Sequence, residues 1–136
     1  MNELDSAIYS KLSAGTALTA QLATMTGGTT PAIFNLRAPK GQSFPYVVYN
    51  WQAGGQTDDH DIVSGVEWVR AYGTISAQVG SVYAAFDPLL NHNVLSVTGW
   101  TNVSLRREDQ FELVEDQPDG LQVYTCGAFY RVILDK

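Results

Sequence analysis

Residues 62–90 read IVSGVEWVRAYGTISAQVGSVYAAFDPLL, and the hydrophobic period changes once inside them. Through residue 77, β-branched and aromatic residues alternate with small or charged ones. Val66, Trp68, Arg70, Tyr72, Thr74 and Ser76 share one face, and Glu67, Val69, Ala71, Gly73 and Ile75 the other. Neither face is purely polar, so both are expected to be covered. From Ser76 the period becomes helical: Val79, Val82, Tyr83, Phe86 and Leu90 fall on one stripe. Pro88 is expected to end or kink this helix near Phe86, because its ring removes a donor and crowds the preceding turn.

Upstream, Leu4, Ala7, Ile8 and Leu12 predict a first helix over residues 3–13 that stops at Gly15. Thr16 is placed to cap a second short helix over residues 16–23, with Leu18 and Leu22 on one face. Residues 32–37, AIFNLR, form a short strand candidate, and the turn-rich APKGQSFP leads into a β-rich run over residues 46–52. AGGQTDDHD then reads as a polar loop between that run and the strand beginning at Ile62, the two forming a long hairpin.

Downstream of His92, the segments NVLSV, WTNVSLRREDQFELVE and LQVYTCGAFYRVILD carry strand signals. The last two pair across QPDG, where Pro118 presets φ and Gly120 tolerates positive φ. The order α, α, β, β, β, α, β, β, β has no βαβ regularity and no internal repeat. It predicts an α+β fold, a mainly antiparallel sheet with helices packed on one face. No linker divides the chain, and residues 1–136 are expected to form one domain.

Composition excludes several functions. With 8 basic and 14 acidic residues the formal net charge is −6, which repels phosphate backbones. Charged residues are 16% of the chain, below the usual quarter, which suits faces that become buried against neighbours. No apolar run is long enough to span a membrane, and MNELDSAIYSKL carries acids where a secretory signal needs bases, so the chain is expected to remain in the cytosol where it is made. Cys126 is the only cysteine and reads as a small buried apolar residue.

Chemistry-bearing patterns are scarce. There is no phosphate loop, dinucleotide fingerprint, nucleophile elbow or zinc-binding helix, and only His60 and His92 offer imidazoles. Asp58, Asp59, His60 and Asp61 could supply ligands to a divalent cation. Adjacent residues point in different directions, however, and the Gly-centred calcium loop is missing, so this stretch reads as a solvated acidic loop. Glu108, Asp109, Glu112, Glu115 and Asp116 occupy strand and turn positions of a solvated face, where Arg106 and Arg107 are expected to make exposed ion pairs. Trp51, Trp68, Trp100 and the tyrosines lack the basic groove that a base-stacking platform needs, so they are assigned to the core, with one or two as interface anchors. No enzyme activity, metal or cofactor is expected.

Ala38-Pro39-Lys40-Gly41-Gln42-Ser43-Phe44-Pro45-Tyr46-Val47-Val48-Tyr49 resembles the "aPxgxxfPyvv" signature of the tail terminator family, the small tail-completion proteins of long-tailed phages. LDSAIYSKLSAGTALTAQL resembles the family's opening helices, and a polar loop, a strand, a helix and a C-terminal hairpin follow in the family's order. Residues 24–30 and the stretch VTGWTNVSLRREDQFELVEDQ depart from the pattern. The resemblance implies a virion protein at the junction of tail and neck, assembled in the host cytoplasm. It implies a homo-oligomeric ring, a hexamer, that ends tail-tube polymerisation. Its expected partners are its own copies, the major tail tube protein and a head-completion or neck protein, with DNA passing through the lumen without specific binding. The expected partner-contacting residues are Gln56, Thr57, Asp58, Asp59, His60 and Asp61, with Trp51 and Trp68 as anchors. The alternatives are another neck or tail-tube component, a small metal-dependent enzyme using Asp58 to Asp61, and a monomeric host-binding module.

Overall fold

The computed structural model describes residues 2–56 and 61–136. Three helices and six strands follow in the predicted order: α1 (Asn2–Ser13), α2 (Thr16–Thr19), β1 (Ile33–Asn35), β2 (Tyr46–Gln56), β3 (Ile62–Gly73), α3 (Ser76–Leu90), β4 (Asn93–Val94), β5 (Asn102–Asp116) and β6 (Gln122–Asp135). The strands form one sheet in the order β1-β2-β3-β6-β5-β4. Among the described residues only β1 and β2 run parallel; every other pair is antiparallel. The fold is α+β, as predicted.

One core lies between the sheet and the helices. α1 contributes Leu4, Ile8 and Leu12, all fully buried and spaced four residues apart. α3 contributes the five residues of its predicted stripe. Opposite them stand alternate residues of the long strands: Val47 and Tyr49 of β2, Val69 and Ala71 of β3, Val103 and Leu105 of β5, and Ala128, Tyr130, Val132 and Leu134 of β6. Burying a side chain of this size stabilises the fold by about 1.5–3 kcal/mol. α3 lies over β3 and β6, and α1 packs beside β1 and α3. Among the described residues no layer covers the sheet's other face, contrary to the expectation of cover on both.

Four local expectations change. α2 ends at Thr19 instead of Ala23, because the Ala23 amide donates to the Pro45 carbonyl at 3.0 Å and its carbonyl accepts from Ala32 at 2.8 Å, which takes that backbone out of the helix. Gly15, not Thr16, is its N-cap. α3 continues through Pro88 to Leu90. The proline forfeits one helical donor, and the Asn91 amide still closes the last turn on Asp87 at 2.8 Å. β2 extends four residues beyond Gln52, with Ala53 to Gln56 paired to Val66 to Val63 after a bulge.

The Phe-Pro-Tyr stretch ties the loops to the sheet. Gln42, buried, accepts the Thr26 amide at 3.0 Å and donates to the Thr24 carbonyl at 2.8 Å. Phe44 stacks on Tyr46, and Tyr46 on Tyr72, with ring centres 5.3 and 5.2 Å apart. QPDG makes the predicted turn, with Gly120 at φ 85° and its amide bonded to the Gln117 carbonyl.

Candidate functional site

Alternation along β3 separates the two tryptophans expected to anchor an interface. Trp51 pairs with Glu67 and packs against the core on the helix side, whereas Trp68 stands on the bare face. Gln56 ends β2, and Asp61 precedes β3 with its carbonyl accepting the Lys136 amide at 2.9 Å. Thr57, Asp58, Asp59 and His60 lie outside the described residues.

The bare face carries an aromatic belt. Trp68 stacks on Phe129 with centres 5.6 Å apart and interplanar angle 16°, and Phe111 lies 5.8 Å from Trp68. Tyr46 and Tyr72 continue the belt toward Phe34 and Phe44. The Arg70 guanidinium lies 3.7 Å above the Trp68 ring, a cation–π contact. Its nitrogens also bond Tyr72 Oη at 2.7 Å, Asn50 Oδ1 at 2.6 Å and the Leu36 carbonyl at 3.3 Å. A single cation thus joins the middle of the sheet to the segment leaving β1. Trp68 Nε1 is buried without a hydrogen-bond partner among the described residues.

The sheet ends in two unlike edges. β4 covers β5 only at Ser104 and Leu105, so from Arg106 to Asp116 β5 has a strand on one side alone among the described residues. Glu108, Asp109, Glu112, Glu115, Asp116 and Asp119 fall on this stretch and its turn without an intervening Lys or Arg. Leu113 and Val114 are 58% and 56% exposed. The ion pairs reach across the fold instead of along the strand: Arg107 Nη1 bonds Asp87 Oδ2 on α3 at 2.8 Å, and Arg131 Nε bonds Glu108 Oε1 at 2.7 Å. Behind the free edge a cavity of about 260 Å³ opens between α3 and the β5–β6 hairpin. At the opposite edge, the chain from Ser6 to Thr57 contains no Asp or Glu. There Leu36 adopts a left-handed φ of 70°, is 65% exposed, and is followed by the exposed cations Arg37 and Lys40.

Glu67 and Cys126 are the described groups that sequence reading passed over or treated as inert. Glu67 is fully buried with neither carboxylate oxygen hydrogen-bonded among the described residues, and burial, then Asp5, pushes its carboxyl up to about 8. Burial, then Glu112, pushes the Cys126 thiol up to about 11. The β3 alternation already placed Glu67 beside Val69 and Ala71, which was the one available signal of its burial.

Among the described residues, a six-stranded, mainly antiparallel sheet with three helices on one face, an aromatic belt on the other and two open edges defines an α+β scaffold whose exposed features are surfaces. No family model matches this sequence, and no curated protein matches it. Among solved structures it is similar in fold to a chain of the "Virion of native gene transfer agent (GTA) particle", at TM-score 0.70 and 15% identity, covering 99% of this chain and 96% of that one. A second solved chain aligns at TM-score 0.61 and 18% identity, over 96% of this chain and 94% of that one.

Proposed function

We infer that this protein is a virion structural component of the tail terminator type, acting by assembly without making or breaking bonds. Its copies close into a homo-oligomeric ring, a hexamer, at the end of the tail tube, stop tube polymerisation and present a surface to the neck. The observation that carries this reading is the end-to-end likeness of fold to a chain of a gene transfer agent virion, with almost nothing left over in either chain. The Phe-Pro-Tyr stretch, held by Gln42 and the Tyr46 stack, supports it. A ring requires heterologous contacts, one patch meeting a different patch on the next copy, and two unlike open edges on one sheet satisfy that requirement. The acidic balance suits a lumen that DNA must traverse without adhering.

The test is genetic and morphological. Particles lacking this chain should carry tails of uncontrolled length that are not joined to capsids, and the purified protein should give ring-shaped particles in negative stain. Tails of normal length firmly joined to capsids in its absence would end this reading.

A further inference from the structure

We propose that neighbouring copies join edge to edge, with Leu36 of one copy seated in the cavity between α3 and the β5–β6 hairpin of the next, and Arg37 beside it paired with Glu112 at the cavity rim. The proposal rests on the ring reading above and names its interface.

Three independent observations meet on this contact. First, height: the Leu36 amide bonds the Tyr49 carbonyl, and Tyr49 lies in the row Tyr49, Val69, Ala128, Gln110 that crosses the sheet to β5. Glu112 is two residues along β5 from that row, about 7 Å at the rise of a strand. Knob and cavity therefore stand at nearly one level on opposite sides of the molecule, as a lateral contact between identical copies needs. Second, shape: Leu36 projects at a left-handed bend whose carbonyl is held by Arg70, and the cavity is lined by Val79 and Gly80 of α3, Glu112 and Val114 of β5, and Tyr124 and Cys126 of β6. Gly80 lies inside a helix, where glycine is about 1 kcal/mol less favourable than alanine. Nothing stands within 4 Å of the Cβ it lacks, so no internal packing requires it. The space above it is open to an occupant from outside. Third, charge: the Leu36 edge carries the exposed cations Arg37 and Lys40, with Asp5 of α1 the acid beside Asn35, while the free β5 edge carries acids and no base from Glu108 to Gly120. Opposite signs at the two edges favour a head-to-tail second copy and disfavour joining like edges.

The purified full-length chain is examined by sedimentation velocity at low salt over a concentration series, with circular dichroism confirming that each variant is folded. Wild type should form a ring-sized species. Arg37→Glu and Glu112→Arg, both at exposed positions, should each weaken assembly by about tenfold or more, and combining them should restore it. Gly80→Leu, which fills the cavity, should abolish the ring while α3 remains helical. Rings that persist unchanged in the single charge variants, or a double variant no better than either single one, overturn this interface and leave the ring reading standing. A wild-type chain that stays monomeric at every concentration overturns both.

Discussion

Tyr130, on β6 and fully buried, donates its hydroxyl to Asp87 Oδ1 on α3 at 2.7 Å. Asp87 Oδ2 takes Arg107 from β5 at 2.8 Å, so one carboxylate joins helix, central strand and edge strand. Burial, and then this hydrogen bond, holds the Tyr130 phenol far above its ordinary value. Removing the acceptor strands a buried hydroxyl. Asp87→Ala should lower stability by about 1–3 kcal/mol, and Tyr130→Phe, which leaves Asp87 with its arginine, by about 0.5–1.5 kcal/mol. Urea unfolding midpoints compare the two, and equal losses would show that the carboxylate matters only through Tyr130.

Glu67 should give folding an unusual pH slope. Its folded-state value of about 8 stands above the ordinary carboxylate value of 4.5. Between those values the folded chain keeps a proton that the unfolded chain has released, so stability falls as pH rises through the window and levels off above about pH 8. The loss is on the order of a few kcal/mol across the whole window. Asp5 faces the group from α1 and Tyr49 from β2, and Tyr49 is itself pushed up to about 12 by burial, then by Asp5 and Glu67. Unfolding free energies of wild type and Glu67→Gln between pH 5.5 and 8 should diverge, with the variant much the flatter. Parallel slopes would mean that Glu67 is ionised in the fold.

The element order and the core stripe of α3 were legible because burial imposes periods on a sequence: all five residues of the predicted stripe are buried. Ala53 to Gln56 read as loop because two glycines and a glutamine look like turn chemistry. In the fold, Gly54 is a strand residue whose Cβ would strike the Trp51 ring and stand 2.7 Å from Gly65 Cα, a crowding that local composition does not record. The reach of Arg70 to Asn50 and to the Leu36 bend was invisible for the same reason, since those partners lie 20 and 34 residues away in the chain. Of the residues expected at an interface, Gln56 and Asp61 flank the β2–β3 connection, but alternation sends Trp51 and Trp68 to opposite faces.

Gly127 tests the centre of the sheet. It pairs with Arg70 on one side and Phe111 on the other, and an added Cβ would meet the Val69 carbonyl oxygen and stand 2.8 Å from Arg70 Cα. These are backbone atoms, which cannot rotate aside. Gly127→Ala should lower stability by about 1–3 kcal/mol. Gly80→Ala, with open space around it, should raise stability by about 0.5–1 kcal/mol. Differential scanning calorimetry should show thermal midpoints moving in opposite directions.

Cys126 should behave as a core residue. It is 4% exposed, and its thiol value of about 11 leaves little thiolate near neutrality. At pH 8 the native chain should react with a disulfide reagent about a hundredfold more slowly than the urea-unfolded chain. Similar rates in the two states would show that the cavity beside Cys126 admits the reagent freely.

Arg70 is the residue for which a conservative replacement should fail. Its planar group lies over Trp68 while its nitrogens reach Tyr72, Asn50 and the Leu36 carbonyl in three directions. A lysine ammonium at the end of a flexible stem cannot stack on the ring and hold those three acceptors at once. Arg70→Lys should therefore destabilise nearly as much as Arg70→Met, by about 1.5–3 kcal/mol, because both leave acceptors on this face without their charged donor. The loss should be local as well as global: hydrogen exchange at the Leu36 and Arg37 amides should accelerate in both variants, while that of the α3 amides changes only with overall stability. If lysine restores wild-type stability and protection at Leu36, charge alone holds the bend and the fork geometry is incidental.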